Sequence, residues 1–265
     1  RSTLLASSAV SDVYKRQKEE GLICFSSPFD KTAVDMLEAL DCPVYKIASF
    51  EITDIPLIEY AASKHKPMVL ATGIATEEDI QLAVEACRRM GNNDITVLKC
   101  TSSYPAPVEE ANLCMIRDLA ERFQVKSGLS DHTLGSVSPI VAVTQGASMI
   151  EKHFILNRSI GGPDCSFSME EKDFAQMVKD VRMAELSLGK TTYELTEKMR
   201  GSRSASRSLY VAEDMKAGEV ITERNVRSVR PGFGLHPKYL KDILGKNVNR
   251  DLEKGTRFAL EYVNG

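Results

Sequence analysis

The sequence predicts an α/β protein: a (β/α)8 barrel lacking its first two strands, followed by a small β-rich domain. Three observations carry this. From Gly21 onward, short runs rich in apolar and β-branched residues alternate with amphipathic segments. The runs recur roughly every 20–30 residues, about the span of one βα unit. After a small polar stretch at 199–208 the pattern changes to short strands and turns.

The strand candidates are 22–27, 44–49, 68–73, 95–102, 125–130 and 148–156. Between them, segments such as TAVDMLEALD and EEDIQLAVEACRRM place apolar residues on one helical face. Pro28, Asp54 and Thr76 mark helix entries, and Gly91 marks a helix end. A long helix over 170–189 closes the series. Alternating β and α implies a parallel sheet with helices outside it. A doubly wound sheet is the alternative, but no GxGxxG follows any strand. The expected division is a leader at 1–17, a partial barrel at 18–195, a linker at 196–208 and a β-rich domain at 209–265. Residues 1–17 are serine-rich and aperiodic, unlike a signal peptide, and resemble translated adapter sequence; they are read as non-native. The chain then enters close to a strand, which points to a truncated N-terminus.

With 265 residues the chain can bury a core without disulfides. Its 34 basic and 37 acidic residues, net charge -3, argue against sequence-independent nucleic-acid binding, which needs a basic face. No apolar run is long enough for a membrane-spanning helix. The cysteines at 24, 42, 87, 100, 114 and 165 sit singly in apolar segments without CxxC spacing. They read as buried free thiols of a cytoplasmic protein.

In a parallel barrel the site lies at the C-terminal strand ends. The polar residues there lie within SSPFD, KIASFE, ATG, KCTSSYP, GLSDHT and EKHF. His132 and His153 end successive strands, about 4.8 Å apart, and can share a metal. Asp131 and Glu151 are placed to join or support them. The bland alternative is that each histidine is a satisfied, half-buried residue. Lys46 alternates with Tyr45 and Ile47 and should point inward, its partner either a neighbouring carboxylate or an anionic substrate. Ser49, Thr72, Thr101, Ser102 and Ser130 add hydroxyls on the same rim, and with Lys46 they describe a phosphate cradle. Asp164 is the only acid of the loop RSIGGPDCSFS, either a turn residue or a site residue. His65 and His236 read as surface residues, and Arg200, Arg203 and Arg207 as parts of a solvated tether.

The segments KIASFEITD, LKCTSSYPAP, GLSDHTLG, EKHFILNRSIGGPDCSFS and VRPGFG resemble the sialic acid synthase family, most closely its pseudaminic acid branch. The resemblance spans about residues 18–265. It implies a TIM barrel followed by an antifreeze-like (SAF) domain. It implies condensation of phosphoenolpyruvate with a 2,4-diacetamido-2,4,6-trideoxy hexose to give pseudaminic acid and phosphate. By resemblance, His132 and His153 match the ligands of a divalent metal, Mn2+; Lys46, Ser49, Ser130 and Tyr104 match phosphoenolpyruvate contacts. Glu51 and Asp164 match residues that hold the sugar, and Arg230 matches an SAF arginine reaching the partner's site in a domain-swapped homodimer. Ala71 and Ser102 stand where the sialic acid synthases have a serine and an asparagine. The family's first two strands, with an early glutamate and lysine of the site, are absent, so this chain alone is expected to turn over poorly.

The implied chemistry is attack of phosphoenolpyruvate C3 on the sugar aldehyde, addition of water at C2 and loss of phosphate. Glu51 or the absent glutamate would face the cation at C2, and Lys46 the leaving phosphate. Ser102, and Phe167 as an apolar contact near C6, are expected to favour the 6-deoxy sugar. The alternatives are an N-acetylneuraminate synthase using N-acetylmannosamine, and a non-catalytic carbohydrate- or surface-binding protein. No nucleic-acid or membrane partner is expected.

Overall fold

Short polar side chains set where the helices of this protein begin. In the computed structural model, which describes residues 16, 17 and 19–264, the chain divides into two compact units after Gly189. The leader assigned to 1–17 falls, apart from residues 16 and 17, outside the described residues.

In the first unit, Asp30 caps helix α1 (Lys31–Ala39) by accepting from the Ala33 N–H at 2.8 Å. That is two residues beyond Pro28, because a carboxylate can satisfy an orphan N–H of the first turn and a proline cannot. Asp54 caps α2 (Ile55–Ala62). Thr76 and Asp79 form a reciprocal capping box on α3 (Glu77–Arg89), which carries acids in its first turn and arginines in its last. Gly91 follows that helix with a φ of 74°, a left-handed conformation suited to glycine. Helices α4 (Met115–Phe123), α5 (Val137–Thr144) and α6 (Glu171–Leu188) complete the layer.

The strands are β1 (Tyr45–Ile47), β2 (Met68–Ala71), β3 (Ile95–Cys100), β4 (Lys126–Asp131) and β5 (Ile150–Lys152). They pair in parallel in chain order, one five-stranded sheet. The expected strand at 22–27 is reduced to a single parallel bridge from Ser26 to Tyr45. Tyr45, Ile47, Met68, Leu70, Ile95 and Val97 share one face and pack with the helices. Lys46, Leu98, Cys100 and Ser130 lie on the opposite, inner face.

The inner face is concave. A flat five-stranded sheet would hold β1 and β5 about 19 Å apart, beyond the reach of two side chains. Yet Lys46 Nζ on β1 lies 3.2 Å from Glu151 Oε1 on β5. The sheet is therefore a curled half-barrel. On the outer face, Asp131 and Lys152 are in register and form an ion pair at 2.6 Å, both side chains 1% exposed. Asp131 also accepts from the Thr133 N–H at 2.9 Å, Lys152 donates to the Thr133 carbonyl, and Thr133 bonds to Ser138 of α5.

The second unit pairs β6 (Ser208–Val211) antiparallel with β7 (Val226–Val229). A separate core of Leu209, Val211, Met215, Ile221, Val226, Ile243, Val248, Leu252 and Phe258 fills it. The polar stretch expected as a tether is partly helical: Thr196 caps a short helix, α7 (Glu197–Ser202), through the Met199 N–H. No helix among the described residues is long and apolar enough to cross a membrane. Of the six cysteines, Cys42, Cys87 and Cys100 are buried, whereas Cys114 is exposed just before α4. Burial raises the Cys87 thiol to about 12, so it is inert at neutral pH.

Removing one partner of a buried pair strands the other charge. Asp131→Ala or Lys152→Met alone should cost about 3–5 kcal/mol. Asp131→Leu with Lys152→Met should cost less than either single change. Urea unfolding followed by hydrogen exchange of the β4 and β5 amides checks both statements, and additive losses in the double variant would contradict them.

Candidate active site

The β4–β5 register places two inward residues of each strand side by side. Ser130 pairs with Glu151, and its hydroxyl donates to Glu151 Oε1 at 2.7 Å. One step of two residues further, His132 and His153 stand opposite each other with ring centroids 5.1 Å apart. Lys46 completes the row through Glu151. The sequence left its partner open between carboxylate and substrate anion; it is Glu151, and the cation also faces the hollow.

His132 Nδ1 lies 2.9 Å from the Thr101 carbonyl. A carbonyl only accepts, so Nδ1 carries the proton and Nε2 presents its lone pair. His153 Nδ1 is 3.6 Å from Asp164 Oδ2. These imidazoles fit a divalent metal, each oriented by an oxygen behind it. Among the described residues no group of three or more His, Cys, Asp or Glu gathers to hold a metal. Asp131 does not join the histidine pair: Asp131 faces outward and is committed to Lys152.

A second cluster surrounds Gly73. Its N–H donates to Ser49 Oγ at 3.1 Å. A Cβ here would come within 2.0 Å of Ser102 Oγ, 2.8 Å of Ser49 Oγ and 3.1 Å of Cys100 Sγ, so only glycine fits. Ser102 Oγ and Glu51 Oε2 are buried without a protein partner. A stranded polar atom in a hollow fits a ligand that completes its hydrogen bonds. Thr72 does not serve the rim as expected; its hydroxyl donates to the Leu98 carbonyl at 3.0 Å and extends the sheet. Tyr104 packs against His132 with ring centroids 4.3 Å apart, tilted by 47°. Phe167, expected to face a substrate methyl, is 4% exposed and packs at 4.9 Å from His153. Arg230 lies in the second unit, in the loop after β7.

The environment separates the two imidazoles. Burial disfavours a charged His132, but the Cys100 sulfur and the Thr101 carbonyl outweigh it and hold the group above its ordinary value. Burial, reinforced by His132, pushes His153 below its own. Burial raises the Cys100 thiol, but His132 and the Ser49 and Ser130 hydroxyls bring it below the usual range overall. Sequence reasoning passed over Cys100 and Gly73 as site residues. Both are inward neighbours of Ser130 and Ser102 in the strand pattern, and that alternation was the available signal. Lys99, between inward Leu98 and Cys100, turns to the outer face; burial holds it below the ordinary lysine range, and it donates to the Cys100 carbonyl at 2.7 Å.

Residues 2–193 match the NeuB family, and residues 206–257 match the SAF domain. The chain is 48% identical over 254 residues to the pseudaminic acid synthase of Helicobacter pylori, covering 96% of this chain and 75% of that protein. It is 45% identical to the pseudaminic acid synthase of Campylobacter jejuni, covering 92% and 71%. Among solved structures it resembles the N-acetylneuraminic acid (sialic acid) synthetase of Leptospira borgpetersenii, with a TM-score of 0.70 and 30% identity over 74% of this chain and 68% of that one.

In the metal-free protein, the His132 imidazole should titrate above that of His153. Cys100→Ala should lower the His132 midpoint by removing the sulfur beside Nδ1. Proton NMR of the two rings against pH reads both, and a reversed order would contradict the assignment.

Proposed function

Because the chain belongs to the NeuB family, we propose that it condenses phosphoenolpyruvate with a 2,4-diacetamido-2,4,6-trideoxy hexose, giving pseudaminic acid and phosphate. One observation carries this reading. Two imidazoles stand side by side at the ends of β4 and β5, one step beyond the Lys46–Glu151 pair, in a chain 48% identical to a pseudaminic acid synthase. The hollow's chemistry sets it apart from a pure binding surface, which has no use for paired imidazoles.

Carbon C3 of phosphoenolpyruvate attacks the aldehyde carbon of the open-chain sugar, and positive charge develops at C2. Water adds there, and phosphate leaves with cleavage of its bond to C2. His132 and His153 would hold a divalent metal, Mn2+ in this reading, which would supply Lewis acidity toward the aldehyde. Lys46 offsets the charge of the phosphate, and Glu151 with Ser130 holds the ammonium in place. Ser49 and Ser102 supply hydroxyl donors around Gly73, where the missing side chain leaves room. Glu51 faces the developing cation with its free oxygen. Asp164 and Tyr104 flank the histidines; Asp164 binds the sugar and Tyr104 phosphoenolpyruvate.

The protein works in the cytoplasm as a homodimer in this reading. Arg230 of one subunit completes the site of the other, as the sequence resemblance implies. Mixing an Arg230→Ala variant with a His132→Ala variant of the complete protein should therefore regain activity, because mixed dimers hold one site with both residues intact. An inactive mixture after confirmed subunit exchange would place Arg230 outside the partner's site.

The function is tested by phosphate release from phosphoenolpyruvate with each of two sugars, using the complete protein that carries this sequence. The kcat/KM for the diacetamido sugar should exceed that for N-acetylmannosamine by at least about 10-fold, the scale of one or two substituent contacts. An equal or higher value for N-acetylmannosamine would move the protein to the N-acetylneuraminate synthases.

A further inference from the structure

We propose that Phe167 is a positioning residue for the histidine pair: its ring fixes the direction in which His153 presents its nitrogens to a metal shared with His132. This rests on the metal reading above. Four rings form one cluster. The Phe167 centroid lies 4.9 Å from His153 at 62° and 6.5 Å from His132 at 88°. Tyr104 lies 5.8 Å from Phe167 and 4.3 Å from His132. The two Phe167–histidine contacts are edge-to-face and have a preferred geometry as well as an area; those of Tyr104 are tilted. Rotation of an imidazole about χ2 is intrinsically broad. His132 is held by the Thr101 carbonyl at 2.9 Å, whereas the nearest carboxylate oxygen is 3.6 Å from His153 Nδ1. His153 is therefore the ring that can turn its nitrogens away from its neighbour 5.1 Å off.

Phe167 is itself held from behind. Its loop leaves β5 and returns, with the Met169 N–H donating to the His153 carbonyl at 2.9 Å. Arg158 Nε donates to the Ser168 carbonyl at 3.0 Å, and the Ser168 hydroxyl donates to the Asp164 carbonyl at 2.7 Å. The loop that aims Asp164 at His153 thus also drives Phe167 against its ring. At 4% exposure, Phe167 offers almost no surface to a substrate. Its ring contacts are with His153, His132 and Tyr104.

The test is Mn2+ titration of the complete protein, well below its unfolding temperature. Phe167→Met fills the volume without a planar ring. It should weaken Mn2+ binding about 10–100-fold, the cost of losing an outer-sphere support. Phe167→Tyr keeps the ring and should bind Mn2+ within about threefold of the parent, even if its buried hydroxyl lowers Tm. A purely structural role would make affinity follow Tm in both variants, and that result overturns the proposal, as does unchanged affinity in Phe167→Met. The His132→Ala, His153→Ala double variant should lose Mn2+ altogether. Retained binding there overturns the metal reading itself, a failure distinct from that of Phe167.

Discussion

The buried ion pair between Asp131 and Lys152 is the constraint on which the site depends. It lies on the outer face of the sheet, at one register position of β4 and β5. A slip of one residue would strand both charges in a low-dielectric layer and turn the inner row outward. With the register held, alternation does the rest. Ser130 and Glu151 face inward one residue before the pair, and His132 and His153 one residue after it. Such a pair contributes little net stability compared with an apolar replacement. Its value lies in selecting one alignment among several.

Curvature supplies the second ingredient. Lys46 on the first strand meets Glu151 on the last only because the sheet curls. The concave face then gathers groups far apart in sequence: the hydroxyls around Gly73, the Cys100 sulfur and the histidines. Polar atoms buried without partners are costly in an empty fold. The Lys46 ammonium and the Ser102 hydroxyl are the groups that suit an anionic substrate, whereas the Glu51 carboxylate suits a group that carries positive charge. The loop after the last strand then closes on the histidines from one side, bringing Asp164 and Phe167 together.

Much of this was legible in the residues. The strand periodicity located the parallel sheet, and alternation in VYKIAS aimed Lys46 inward. Thr76 and Asp54 marked helix starts because hydroxyl and carboxylate caps act locally. What escaped was set by tertiary contacts. Asp131 looks like a site residue beside His132, yet side-chain parity turns it outward, and its partner Lys152 is 21 positions away. Thr72 sits at a strand end like the other rim hydroxyls, but a neighbouring carbonyl claims it. Phe167 reads as a substrate contact until the returning loop shows it buried. The run at 22–27 has a strand's composition but pairs only through Ser26.

The central claim is that an outer-face ion pair sets the inner-face histidine pair. Pulsed electron paramagnetic resonance of Mn2+ bound to protein labelled with 15N in histidine reads this directly. The parent should show coupling to two imidazole nitrogens. Asp131→Asn, which removes the charge but not the shape, should lose one coupling or bind no Mn2+ at all. Two undiminished couplings in Asp131→Asn would contradict the account.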